Sequence, residues 1–320
     1  MMFPLSRLQK LARELLNAKS TVQRIEQSVV DLRGEIEKGL ILNARTLMAQ
    51  WDPLGPLQPL GDYEFQVFSQ FGDDGIIQRL IRGLGIRDES FVEFGVQDYS
   101  ESNTRFLLVN NNWRGLILDC SEEDMDKVRR SPLHWRQDLT VATAFIDRDN
   151  INSLVSENGF SGDLGILSVD IDGNDYWVWE AINVVNPVIV IVEYNAVFGS
   201  RAAVSIPYDP RFYRTDAHAS NLYWGCSLAA LVHLAEKKGY AFIGCNSHGN
   251  NSYFVRKDRL GSLRPLTAAE GYVESKFRES RDADGKLSFL RGESRQKTIE
   301  HLSVVEVTSG RQAPLKDFLG

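Results

Sequence analysis

Cysteine is scarce in this chain and follows no pattern: Cys120, Cys226 and Cys245 are the only three in 320 residues. An odd count without a C-x-x-C pair excludes a disulfide framework and a zinc knuckle, and a reducing, cytoplasmic compartment is the expected setting. Excess cationic charge is missing as well. The 36 Lys and Arg against 43 Asp and Glu give a formal net charge of −7. The chain therefore lacks the general basic field with which duplex-binding proteins displace phosphate counterions, and nucleic acid is not an expected partner. No apolar run approaches the roughly eighteen residues of a transmembrane helix. The start Met1-Met2-Phe3-Pro4-Leu5 has neither the apolar core nor the cleavage site of a secretion signal, so none is expected. What remains is ordinary globular material, 43% hydrophobic and 25% charged. Such a chain is long enough for one large α/β domain with appendages.

The N-terminal segment carries a different pattern. Leu8, Leu11, Leu15, Ala18, Val22, Ile25, Val29, Leu32 and Ile36 step alternately by three and four, the 3.5-residue period of a coiled coil. Residues 1–50 are therefore expected to form a helix whose stretch 5–40 meets a partner, most simply a second copy of the chain. The mixture of β-branched and Leu or Ile positions suits two or three strands, and Glu14 facing Lys19 of a parallel partner adds one favourable pair. A helix laid against its own globular domain is the alternative. Basic Arg7, Lys10 and Arg13 argue little for a membrane surface, because Glu14, Glu26 and Asp31 follow on the same helix. Asp52-Pro53 and Gly55-Pro56 break helical continuity, which predicts a linker over 51–60.

From residue 61 to 258 helices and apolar strands alternate. Helices are expected at Asp73–Leu84, Asn103–Asn112, Glu122–Arg130, Ile151–Glu157, Tyr176–Asn183 and Ser227–Lys238. Strands are expected at Ser90–Phe94, Gly115–Asp119, around Trp135 to Phe145, at Leu164–Ile171 and at Val188–Val192. Strands apolar throughout, alternating with helices of this length, predict a doubly wound, mostly parallel sheet covered on both faces. Tyr240–Cys245 and Ser252–Arg256, joined by the tight Asn246–Asn250 connection, add an antiparallel hairpin.

In such sheets ligands bind beyond the carboxyl ends of the strands. Gly95, after the first strand, lets the chain turn closely around a ligand, and Glu93 ends that strand. Asp119 ends the second, where a carboxylate can accept both ribose hydroxyls of an adenosine. Asp138, read at the exit of the third, could receive an adenine amino group. The densest cluster is Ser168 to Asp175, where the fourth strand leaves the sheet. Period two puts Asp170 and Asp172 on one side, and Glu193 and Asn195 end the neighbouring strand, so four oxygen-bearing side chains are expected on one rim. Such a set can hold a hard divalent cation, usually magnesium. It can equally serve as a general base, or cap the next helix through Asp172. His248 is the one histidine in a rim loop and could deprotonate an acceptor hydroxyl. The other four histidines show no metal-site spacing. The long aromatic segment Ala196–Trp224, with Tyr208, Phe212, Tyr213, Tyr223 and Trp224, is expected to be a lid or acceptor-binding insertion. Residues 259–320 form a charged extension with enough apolar positions for order, packed on the domain or on its partner.

At these residues the sequence resembles the FkbM-like branch of the S-adenosylmethionine-dependent methyltransferases. The matching stretches are Ser69–Gly75, Phe91–Val96 with Glu101–Thr104, Val169–Trp177 and Val192–Asn195, over roughly residues 62–258. The resemblance implies a class I methyltransferase fold, Rossmann-like and seven-stranded. It also implies S-adenosylmethionine as cofactor, and methyl transfer to a hydroxyl of a sugar, glycan or related small acceptor. By the same analogy Glu93, Gly95 and Asp119 hold the cofactor, with Asn103 and Asp170 also expected to contact it, while Asp170, Asp172 and Glu193 sit near the transferred methyl. The family's glycine-rich turn is reduced here to Gly95-Val96-Gln97-Asp98. A non-catalytic member of the fold, serving as a coiled-coil scaffold for glycan assembly, is the alternative. A nicotinamide-dependent oxidoreductase is disfavoured because no G-x-G-x-x-G follows the first strand.

Overall fold

The computed structural model describes the backbone of residues 5–319 and the side chains from Arg13 onward, Leu16 excepted. The chain divides into two compact units, Met1–Trp51 and Asp52–Gly320. The first is a single helix, α1, Leu5–Ala49. Its described heptad positions Leu15, Val22, Ile25, Val29, Leu32 and Ile36 are 52% to 64% exposed. Leu8 and Leu11 of the same series, with Arg7 and Lys10, lie outside the described side chains, and the start Met1–Pro4 lies outside the described residues. No described helix is long and apolar enough to cross a membrane.

In the second unit the stretch expected as a linker is held in place. Leu57 and Leu60 are buried, and the Arg79 guanidinium donates to the carbonyls of Asp52, Gly55 and Pro56 at 3.0, 2.6 and 2.9 Å. The elements then run α2 Asp73–Leu84, β1 Ser90–Phe94, α3 Arg105–Asn111, β2 Arg114–Asp119, α4 Glu122–Arg130 and α5 Pro132–Arg136. They continue through β3 Leu139–Thr143, α6 Ile151–Glu157, β4 Gly162–Val169, α7 Asp175–Ala181 and β5 Val185–Glu193. Helix α2 begins where buried Asp74 accepts the amide N–H groups of Val67, Phe68 and Ser69 at 2.7 to 2.9 Å. It ends at Gly85, in the left-handed conformation that favours glycine.

The third strand departs from expectation at its start. Pro132 at the first turn, after Ser131, opens helix α5, so Trp135 is helical and the strand begins only at Leu139. Asp138 therefore stands before β3, at the opposite end of the sheet from the strand exits. Among the described residues its exposed side chain reaches only Arg114, at 3.9 Å, and an adenine-binding role for it is corrected on the ground of its place.

Further along come β6 Val204–Ser205, α8 Arg214–Ala217, α9 Leu228–Lys238, β7 Tyr240–Cys245, β8 Asn251–Arg256, α10 Ala268–Gly271, α11 Glu293–Ile299, β9 Ser303–Glu306 and β10 Gln312–Pro314. Seven strands make one sheet in the order β3-β2-β1-β4-β5-β8-β7. The first five are parallel, and β8 runs antiparallel to both its neighbours. This is the Rossmann-like, class I methyltransferase arrangement. Its central strands are mostly apolar because both faces are covered. Val92, Phe94, Leu116, Leu118, Leu167, Val169, Val190 and Val192 pack into the core on one face. The alternate positions Phe91, Ile117, Ile166, Ile189 and Ile191 pack on the other. The two layers fix where every strand ends, and hence where the residues just past those ends stand.

The insertion and the C-terminal extension form one satellite. A second sheet, β10-β9-β6, joins them, over a small core of Val197, Phe198, Val204, Ile206, Leu222, Ile299, Val304 and Leu315.

Candidate functional site

A cavity of about 680 Å³ opens at the carboxyl ends of the parallel strands, where the topology places ligand sites. One end lies over β1 and β2. Gly95 has φ +71, and a Cβ there would sit 1.7 Å from the Asp170 carbonyl oxygen, so only glycine lets the two strand exits approach. Asp119 is held by the amides of Gln97 and Ser121, both at 2.8 Å, one to each carboxylate oxygen. Each oxygen accepts one bond, leaving lone pairs for two hydroxyls. Gly95 and Asp119, some two dozen residues apart in sequence, thus share one wall. Ala144, Phe145 and Ile146, just past β3, complete it; the sequence reading named Asp138 in their place.

Glu93 and Asn103 do not reach the cavity. Glu93 is buried and accepts from the hydroxyls of Ser102 and Thr104 and from the amides of Asn103 and Thr104. Burial raises its pKa, and these donors work against the rise. The Asn103 amide reaches Ser168 at 3.2 Å. Both residues brace the loop after β1 beneath the site, and direct contact with a cofactor is corrected to that supporting role.

The central cluster forms by a route other than the expected one. Strand β4 stops at Val169, so Asp170 and Asp172 are not paired by a pleat. They lie on a loop whose Ile171 and Gly173 amides donate to buried Asp175 at 2.8 and 3.0 Å, with Asp172 itself at φ +54. Burial pushes Asp175 up to about 6. One ligand oxygen each from Asp170, Asp172 and Glu193 lies within 4.8 Å of the others. Asn195 is not a fourth donor. Its amide nitrogen donates to the carbonyls of Leu222 and Trp224, both at 2.9 Å, and so anchors the insertion.

Asp170 and Glu193 are both held well above the ordinary carboxylate range. Burial is the chief cause for each, and repulsion follows, from Asp172 and Asp175 at Asp170 and from Asp170 at Glu193. Glu193 Oε2 is buried without a hydrogen-bond partner. Arg214, on α8, pairs with Asp172 and lies 4.6 Å from the centre of the Trp224 ring. Burial works against its charge, but Asp172 and Glu193 outweigh it and raise its pKa. One adjacent cation against three carboxylates, two of them desolvated and Asp172 exposed, leaves excess negative charge, which favours a shared proton or a bound cation.

His248 is not on the cavity wall. Its ring stacks on Phe71 at 3.9 Å and 8°, and Phe71, not the imidazole, faces the opening. The far end is lined from the satellite by Phe212, Tyr213, Trp224, Phe277, Glu279 and Arg295. Tyr208 and Tyr223 of the aromatic set pack elsewhere, Tyr223 donating to the Ser303 carbonyl and Tyr208 lying under Arg148. Arg214, Arg295 and Phe277 had no sequence signal, since no periodicity or spacing links residues so far apart.

No protein-family model matches the chain, and no curated protein sequence does. Among solved structures, a DszA carbon methyltransferase is 13% identical with a TM-score of 0.36, the match covering 60% of this chain and 54% of that one. An O-methyltransferase from Bacillus cereus, solved with SAH, is 15% identical with a TM-score of 0.35, covering 68% and 89%. An S-adenosylmethionine-dependent methyltransferase from Clostridium acetobutylicum is 9% identical with a TM-score of 0.38, covering 57% and 89%. A shared activity does not follow from identities this low.

Proposed function

We propose that the chain is an S-adenosylmethionine-dependent O-methyltransferase acting on a hydroxyl of a sugar, glycan or related small acceptor, as its FkbM-like resemblance implies. One observation carries the reading: Gly95 and Asp119 share a cavity with Asp170 and Glu193, two carboxyls that burial and mutual repulsion hold above the ordinary range. Asp119 suits the ribose hydroxyls, and Phe145 and Ile146 offer an apolar wall for the adenine.

The bound cofactor would supply an already activated methyl group, so the protein's task is chiefly to place the acceptor. An acceptor hydroxyl between Asp170 and Glu193 would lose its proton to the ionised member of the pair as its oxygen takes the methyl. The products are the ether, S-adenosylhomocysteine and a protonated carboxyl. A carboxyl with a raised pKa is better matched to that transfer near neutral pH than an ordinary one. Arg214 keeps Asp172 from adding a full third charge. Phe212, Tyr213, Trp224 and Phe277 offer faces for a sugar ring.

Magnesium is a second reading, favoured by the clustered oxygens of Asp170, Asp172 and Glu193 and by the unpartnered Glu193 Oε2. These three would hold it, and it would lower the pKa of a bound hydroxyl. Methyl transfer to a panel of hydroxylic acceptors, with magnesium or with chelator, tests both readings. Turnover that survives the chelator supports the carboxyl pair acting alone, and turnover lost with it supports the metal. Inactivity toward every acceptor despite cofactor binding would favour the scaffold alternative.

The apolar heptad stripe of α1 fits a coiled coil with a second copy through residues 5–40. Sedimentation of the full chain should return more than one copy, and a monomer at micromolar concentration would contradict this.

A further inference from the structure

Two cations line the cavity, and they are not equivalent. Arg214 has a carboxylate partner in Asp172. Arg295, on α11, is half-buried and donates through Nη1 to the Phe277 carbonyl at 2.9 Å. Its Nε is buried without a hydrogen-bond partner. Among the described residues no carboxylate lies within ion-pair distance of its guanidinium. Glu279 on the same wall pairs elsewhere through Oε1, accepting from Asn221 at 3.1 Å and from Arg281 at 3.0 Å. Desolvation pushes the Arg295 pKa down; Glu274 offsets this through space, and the Arg214 charge adds to the depression.

The side chain is also held in position. Ile299 of the same helix is fully buried in the satellite core, and Gln296 donates to the Val197 carbonyl at 3.2 Å. A guanidinium fixed beside a cavity, near a second cation and with no carboxylate at ion-pair distance among the described residues, is costly unless an anion completes it. Its planar fork suits an oxyanion, which can take two parallel N–H bonds.

We infer that the satellite end of the cavity is an oxyanion site centred on Arg295, and that the acceptor carries a carboxylate or phosphate group which docks there. The term acceptor rests on the methyl-transfer reading; the oxyanion site does not. Under this assignment the C-terminal extension is the element that selects charged acceptors over neutral ones. Arg295 binds the charged group, while the reacting hydroxyl lies toward Glu193.

Thermal melts of the full chain test the site without knowledge of the acceptor. The probes are inorganic phosphate, pyrophosphate and acetate at about 20 mM, each against chloride at matched ionic strength. At least one oxyanion should raise the midpoint by about 2 °C or more. The rise should vanish in Arg295→Gln and be partly kept in Arg295→Lys. A larger rise with phosphate or pyrophosphate assigns a phosphorylated acceptor, and a larger rise with acetate a carboxylated one. No oxyanion-specific rise, or an equal rise in Arg295→Gln, overturns the inference. Should Arg295→Gln fail to fold, Arg295→Lys carries the test, and an undiminished rise there overturns it. Titration of the native chain with S-adenosylhomocysteine reports separately on the cofactor end, so either claim can fail alone.

Discussion

The two ends of the cavity are built by different means. At the β1–β2 end the groups are set by strand exits: Asp119 is clamped by two backbone amides and Gly95 by the carbonyl of Asp170. At the satellite end they come from loops and from the short helices α8 and α11, tied down by a small separate core. Sheet-based geometry is rigid because two packed layers fix it. The satellite depends on a few residues that can change without touching the sheet, so the cofactor end should resist perturbations that loosen the acceptor end.

The largest effect should come where the two ends meet. Glu193→Gln should lower methyl-transfer kcat by about 10²–10⁴-fold while leaving S-adenosylhomocysteine affinity within about threefold. The native rate should rise with pH as the shared proton of the Asp170 and Glu193 pair is lost. Because both pKa values are raised, that rise should come above the ordinary carboxylate range, and it should be absent from the Glu193→Gln profile. Equal loss of cofactor binding would show that the two ends are not separable. Gly95→Ala should cost about 2 kcal/mol or more, because the new Cβ meets a carbonyl oxygen at a left-handed φ. A denaturant melt measures this, and an unchanged midpoint would mean that the strand exits are not tightly apposed. Leu315→Ala, in the satellite core, should cost about 2–5 kcal/mol locally. It should raise the acceptor KM more than it lowers kcat, with cofactor titration unchanged. The smallest effect is expected at His248→Ala, less than about twofold on either binding or rate, since the ring stands off the wall against Phe71. A hundredfold rate loss there would restore the imidazole as a base.

The same division decides what could be read from sequence. The sheet was legible because strands buried on both faces read as largely apolar runs, and the stretches Val188–Val192 and Tyr240–Cys245 carry that signal within their own few residues. Asp119 and Gly95 followed, since their places depend only on where a strand stops. Asp138 was misplaced for a local reason: Ser131-Pro132 opens a short helix, which moves the start of the third strand past it. The meeting of Asp170 with Asp172 was foreseen, but its cause is the loop held by Asp175 and not a strand pleat. Glu93 and Asn103 belong to the expected neighbourhood, yet burial turns them to bracing the loop. Arg214 and Arg295 could not be read at all. They reach the cavity only because β6 of the insertion pairs with β9 of the extension, about a hundred residues later, and two- to four-residue strands leave no periodic trace.

The central claim is that the wall formed by Gly95 and Asp119 binds an adenosyl group. Calorimetric titration of the full chain with S-adenosylhomocysteine tests it most directly. The account predicts saturable heat at one site per chain for the native protein, and at least a hundredfold weaker binding, on the order of 3 kcal/mol, for a folded Asp119→Ala variant. Absence of heat in the native protein, or the same affinity in the variant, would contradict it.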